Sequence, residues 1–134
     1  MVGHNAAMQL IAVVAALAAA AIHAWFFVLE SVQFTQPKVY ARFGLHSAED
    51  AAIVRPMAFN QGFYNLFLAI GILVGLALVA AGLVDAGRGI VLFACATMVG
   101  AGVVLLASNR RFLIAASIQA LPPLIVIVVS LVVR

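Results

Sequence analysis

Glu30, His23 and the run Asn60-Gln61-Gly62-Phe63-Tyr64-Asn65 are the residues of this chain whose types and spacing suit chemistry, and they sit in a sequence that is otherwise hydrocarbon. A carboxylate and an imidazole can exchange protons, so His23 and Glu30 are the candidate acid–base pair. Amides and a phenol can recognise a polar head through matched donors and acceptors. Asn60, Gln61, Tyr64, Asn65 and, far along the chain, Gln119 are therefore candidate ligand-binding residues, together with His23 and Glu30. A charged group costs about 2.5–3.5 kcal/mol at the centre of a membrane helix, so such groups face protein, trapped water or a ligand.

The elements that must position them follow from composition. The 134 residues are 67% hydrophobic and only 8% charged, with a mean hydropathy of +1.25. A water-soluble domain built this way cannot cover its surface. Residues 8–30, 57–83, 89–108 and 112–133 are each apolar enough to cross a bilayer, which takes about 20 helical residues at ~1.5 Å each. Outer-membrane strands alternate polar and apolar positions, and these runs do not. The predicted fold is all-α, a four-helix transmembrane bundle in one integral membrane domain over residues 1–134. The first 10 residues lack Lys and Arg, so the first apolar run lacks the charged start of a signal peptide and is expected to remain as helix one.

The connections have readings of their own. Ser47-Ala48-Glu49-Asp50 reads as an N-cap with acids in the first turn, which predicts a short amphipathic helix to about Met57 inside the long loop between helices one and two. This element is either a lid over the cavity or a plain connector, while Pro37 to Phe43, which mixes cations with aromatics, suits an interfacial segment lying on anionic headgroups. Residues Asp85 to Arg88 are expected to form the next turn, and Ser108 to Arg111 the last hairpin. Lys38, Arg42, Arg55, Arg110 and Arg111 lie on one side, against Arg88 and Arg134 on the other. This bias places the long loop in the cytoplasm and both termini outside. The net charge of +3 reflects these anchors and gives no basic patch for nucleic acid.

Helical wheels assign the polar groups to faces. In helix one Ala12, Ala16, Ala19, Ala20, His23, Phe27 and Glu30 fall together, opposite Leu10, Val14, Trp25 and Val28; small residues mark the packed side. His23 and Glu30 then stack about 10 Å apart along the axis. In helix two Gln61, Tyr64, Leu68, Gly71 and Gly75 share the expected inner face, flanked by Asn60 and Asn65, with Phe59, Phe63, Leu66 and Ile70 turned away. Glu30 reads either as an interfacial carboxylate paired with Lys38, Arg55 or Arg110, or as a functional group at the mouth of a cavity. His23 reads either as a structural hydrogen-bonding group or as a ligand-contacting or proton-handling one. Helix three is expected to pack through Ala96, Gly100 and Gly102. In helix four Gln119 shares a face with Ala115, Ala116, Pro123 and Ser130, and Pro122-Pro123 predicts a kink. The polar groups all fall in the half of the membrane nearer the long loop, which predicts a polar cavity opening there.

Several chemistries are excluded. Only His23 of the three histidines lies inside a predicted span, so a bis-histidine haem has no second ligand. His23, Glu30 and Cys95 are too scattered in depth for zinc, and Cys95, the single cysteine, has no intrachain disulfide partner. No phosphate-cradling glycine loop or serine elbow is present. No cofactor and no metal is expected.

The His23-to-Glu30 spacing, Asn60 to Asn65 followed by Leu68, Ala69 and Gly71, the Ala101-Gly102 pair, and Gln119 followed by Pro122 together resemble the family catalogued as domain of unknown function 1304. The resemblance spans nearly the whole chain, and the Asn-Gln-Gly-aromatic-Tyr-Asn string is its most specific part. The segment Ser31 to Pro37 lacks the tryptophan associated with that stretch of the family. The resemblance implies a small bacterial four-helix membrane protein in the cytoplasmic (inner) membrane, and it brings no reaction. From the residues, three classes of function stand: binding of an amphipathic or lipid-like small molecule, or of a membrane partner; an intramembrane enzyme using His23 and Glu30; and a proton-coupled transporter, which four short helices make only as a homodimer.

Overall fold

A computed structural model describes the backbone of residues 2–133 and the side chains of residues 6–133. The side chain of His4 and the whole of Arg134 lie outside the described residues. Helix α1 runs Val2–Phe27 and continues into a π-helical turn, Val28–Val32. A short α2, Pro37–Tyr40, follows, and then α3, Ala48–Ala80, α4, Val84–Ser108, and α5, Leu113–Val132. There is no strand among the described residues. The fold is all-α, and Ala6–Val32, Ala48–Ala80, Val84–Ser108 and Arg110–Val132 are four helices long and apolar enough to cross a membrane.

Two boundaries differ from the sequence expectation. The amphipathic segment that starts after Ser47 is not a separate helix ending near Met57. It is the first part of α3, which runs on through Pro56 without a break. The N-cap itself is as expected, with Asp50 N–H donating to Ser47 Oγ at 3.0 Å. A proline removes one backbone donor, and the remaining bonds of a 33-residue helix carry it past that point. The second difference is the turn before α4, which lies before Asp85 and not at Asp85 to Arg88. Gly82 takes the left-handed conformation, φ 87°, and ends α3 with Leu83 N–H on Leu78 carbonyl at 2.9 Å and Gly82 N–H on Val79 carbonyl at 3.1 Å. This double bond pattern is the glycine-capped helix stop. Asp85 is thereby released into the first turn of α4, where its charge suits the helix dipole.

The chain divides into two compact units: one contains the residues up to Ile22 and from Leu68 onward, the other His23–Phe67. The first unit is a four-helix bundle in its own right, made of the early part of α1, the late part of α3, α4 and α5. Its close approaches are made by small residues. A Cβ on Gly75 would lie 2.6 Å from Val91 Cγ2 and 2.8 Å from the Gly87 carbonyl oxygen; a Cβ on Gly87 would run into the Gly75 carbonyl oxygen and lie 2.8 Å from Val79 N. Gly102 similarly faces Ala120 and Ala116 of α5, with Ala120 Cβ 2.9 Å from where its own would be. Backbones this near each other gain the van der Waals contact that holds bilayer helices together. Cys95, Met98, Val91 and Ala94 complete the buried side of α4. Ala96 and Gly100, expected as packing positions, are exposed, and Gly100 has open space where a Cβ would stand. Pro122 and Pro123 lie inside α5, which is continuous from Leu113 to Val132.

The second unit consists of the end of α1, the π turn, the long connection and the first half of α3. Phe34, Ala51 and Ala58 form its core, with Tyr40, Leu45 and Val54 packed against it. The connection is thus folded onto the outer turns of α3.

Candidate functional site

The second unit gathers most of the polar residues singled out by the sequence. In a π turn one extra residue is accommodated, and Gln33 N–H reaches back five residues to the Val28 carbonyl at 2.9 Å. The consequence is that two consecutive side chains, Glu30 and Ser31, both reach α3. Ser31 Oγ donates to the Phe59 carbonyl at 2.8 Å, and Asn65 Nδ2 donates to Glu30 Oε2 at 2.7 Å. Gly62 makes this approach possible. A Cβ there would overlap Ser31 Oγ and stand 3.1 Å from Glu30 Cβ. Glu30 is therefore held by a buried amide of α3, and not by Lys38, Arg55 or Arg110 as one reading had it.

The expected faces of α3 need correction. Its buried line is Ala58, Gly62, Asn65, Ala69, Ile72 and Gly75, turned by about one residue, ~100°, from the face carrying Gln61, Tyr64, Leu68 and Gly71. Asn60 and Gln61 are exposed, and Tyr64 is 57% exposed. Phe63, expected to look away, packs edge-on against Phe27 at 5.1 Å between ring centroids. It also continues a ladder along α3, 5.1 Å from Phe59 and 6.1 Å from Phe67. Of the two glycines in the Gly71-to-Gly75 spacing, only Gly75 is a contact. Small residues carried the signal for the inner face, as they did on α1, where Ala16, Ala19 and His23 are fully enclosed.

His23 is 0% exposed and meets Phe26 edge-on at 5.6 Å. It lies about 10 Å from Glu30 along α1, so the two do not converge on one reacting atom. Gln119 belongs to the other unit, where Nε2 donates to the Met98 carbonyl at 3.4 Å, longer than an ordinary hydrogen bond. No group of three or more His, Cys, Asp or Glu able to hold a metal occurs among the described residues.

A model of the family described as protein of unknown function (DUF1304) matches residues 7–131. The chain belongs to the DUF1304 family. Nothing matches among curated proteins or solved structures. Ser31 and Gly62, which the sequence reading left outside the site, are the two residues that bring Glu30 to Asn65. Gly62 was legible as the small member of the Asn60-to-Asn65 run; nothing in the sequence marks a π turn.

Proposed function

We propose that this membrane protein binds a small amphipathic, lipid-like molecule whose polar head is read at Glu30 and Asn65. The observation that carries the reading is the Glu30–Asn65 hydrogen bond at 2.7 Å on a half-buried carboxylate. A carboxylate offers about four acceptor positions, and one amide fills one of them. The remaining positions suit a head that donates, a hydroxyl or an ammonium. Gln61, Tyr64 and Asn60 lie on the exposed side of the same stretch of α3, with Phe59 and Phe67 beside them for the apolar part. They are reachable from the lipid, which is where such a molecule resides. The setting is a bacterial cytoplasmic membrane, with the long loop inside.

A membrane partner, a second copy included, on the stripe Asn60, Gln61 and Tyr64 is the alternative occupant, supported by the exposure of those polar side chains. The enzymatic and proton-transport readings fit less well, because His23 is enclosed and axially offset from Glu30. The test is native mass spectrometry of protein extracted gently from its own membrane, beside Glu30→Gln and Tyr64→Phe. A discrete co-purifying mass that is lost or depleted in the variants is the expected result. Random phospholipid alone, the same in all three, would refute ligand recognition at this site and leave the partner reading.

A further inference from the structure

The four-helix unit contains a cavity of about 330 Å³ at the end remote from Ser108, lined by residues of α1, α3, α4 and α5. None of the residues predicted for the site lines it. Its lining is mostly aliphatic, with Ala12, Ala16, Val126 and Val129 among it, and its polar residues are Gln9, Arg88 and Ser130. On α1 the lining runs from Gln9 to Ala16, about two turns or ~10 Å, and on α5 Val126 and Val129 lie deeper than Ser130, with Val133 beyond it. The cavity is thus a greasy slot with a single cation near its mouth.

Arg88 is exposed, and its Nη2 donates to the Val133 carbonyl at 3.1 Å. A guanidinium has five N–H donors, so this one bond fixes its orientation and leaves donors for a bidentate acceptor. A planar fork matched to a carboxylate or phosphate, above an aliphatic slot, complements a molecule with an anionic head and one hydrocarbon tail. The volume falls at the small end of the ~300–1,000 Å³ of ligand pockets, room for part of one chain and not for a two-tailed phospholipid.

We infer that this cavity is a second ligand site, one that takes a single-chain anionic amphiphile of the fatty-acid class, its carboxylate on Arg88 and its chain among Ala12, Ala16, Val126 and Val129. The site is independent of Glu30: it lies in the other unit, and it takes a head that accepts hydrogen bonds where Glu30 takes one that donates.

The test uses the full chain in zwitterionic nanodiscs and radiolabelled palmitate at equilibrium. Saturable binding of one palmitate per chain is expected, weakened at least tenfold by Arg88→Gln, less by Arg88→Lys, and abolished by Ala12→Phe, which fills the slot. Competition by palmitoyl lysophosphatidate supports the anionic single-chain class and ranks phosphate against carboxylate. Competition by hexadecanol equal to that of palmitate would overturn the role of Arg88. Unchanged binding in Arg88→Gln, or no saturable binding, would overturn the site. Glu30→Gln serves as the control and should bind palmitate as the unaltered protein does. A loss there with none in Arg88→Gln would move the ligand to the Glu30 site.

Discussion

Alanine at Gly75 should destabilise the protein, and alanine at Gly71, one turn earlier on the same helix, should not. At Gly75 the new methyl would meet Val91 Cγ2 at 2.6 Å, the Gly87 carbonyl oxygen at 2.8 Å and Val91 N at 3.2 Å. Two of these are backbone atoms of α4, so relief requires the helices to part by about 1 Å, and a gap of that size forfeits up to half of each contact's attraction. Overpacking of this kind costs about 1–3 kcal/mol, offset by about 0.5–1 kcal/mol from replacing glycine inside a helix. The net expectation is a loss of up to about 2.5 kcal/mol. At Gly71 nothing lies within 4 Å of the added atom, so only the gain of about 0.5–1 kcal/mol applies. Unfolding in mixed micelles by increasing dodecyl sulfate, followed by circular dichroism, measures both. Alkylation of Cys95 gives an independent probe, because it is the single cysteine and 0% exposed. Gly87→Ala should behave like Gly75→Ala, and the double variant should fall short of the sum, since both disturb one contact. Equal effects at Gly71 and Gly75 would refute the close approach of α3 and α4.

Asn65→Leu should cost about 1–3 kcal/mol by leaving the Glu30 carboxylate without its amide, while Asn60→Leu at an exposed position should stay within about 0.5 kcal/mol; similar losses in the same unfolding assay would contradict the assignment of Asn65 to the inner face. Gly62→Ala should displace Ser31 from the Phe59 carbonyl and raise hydrogen exchange in residues 28–33, and exchange that stays as slow as in the unaltered protein would count against the π-turn contact. Gly82→Ala should cost about 1–2 kcal/mol because its left-handed backbone, φ 87°, disfavours any side chain even where there is room for one. A cysteine placed at Lys38 in a Cys95→Ala background should resist a membrane-impermeant maleimide applied to intact cells and react after permeabilisation; labelling of intact cells would reverse the orientation.

The helix count and the inner face of α1 were legible because length, hydropathy and a line of alanines carry them. Glu30 and Asn65 were both legible as costly polar groups, but not as partners. Their bond depends on a π turn that sets Glu30 and Ser31 side by side, and a backbone irregularity of one residue leaves no mark in composition. On α3 the polar residues pointed to the wrong face. Gln61 and Tyr64 are exposed, whereas the small residues Ala58, Gly62 and Ala69 marked the buried line. The loop was legible as an N-cap at Ser47 and not as the start of a 33-residue helix, since Pro56 reads as a boundary in one dimension.

What the sequence by itself determined is the all-α class, the four helices able to cross a membrane, membership of the family, and the short inventory of groups able to do chemistry. These follow from properties that add along a chain, hydropathy and length above all. What only the tertiary structure decided is which way α3 is rotated and which groups meet: Glu30 with Asn65, Gly75 with Gly87, and Arg88 with an aliphatic cavity. Inside a bilayer, lipid tails are as apolar as a protein core, so hydrophobicity does not choose the inner face of a helix. Close packing chooses it, and packing is a property of pairs of helices in three dimensions.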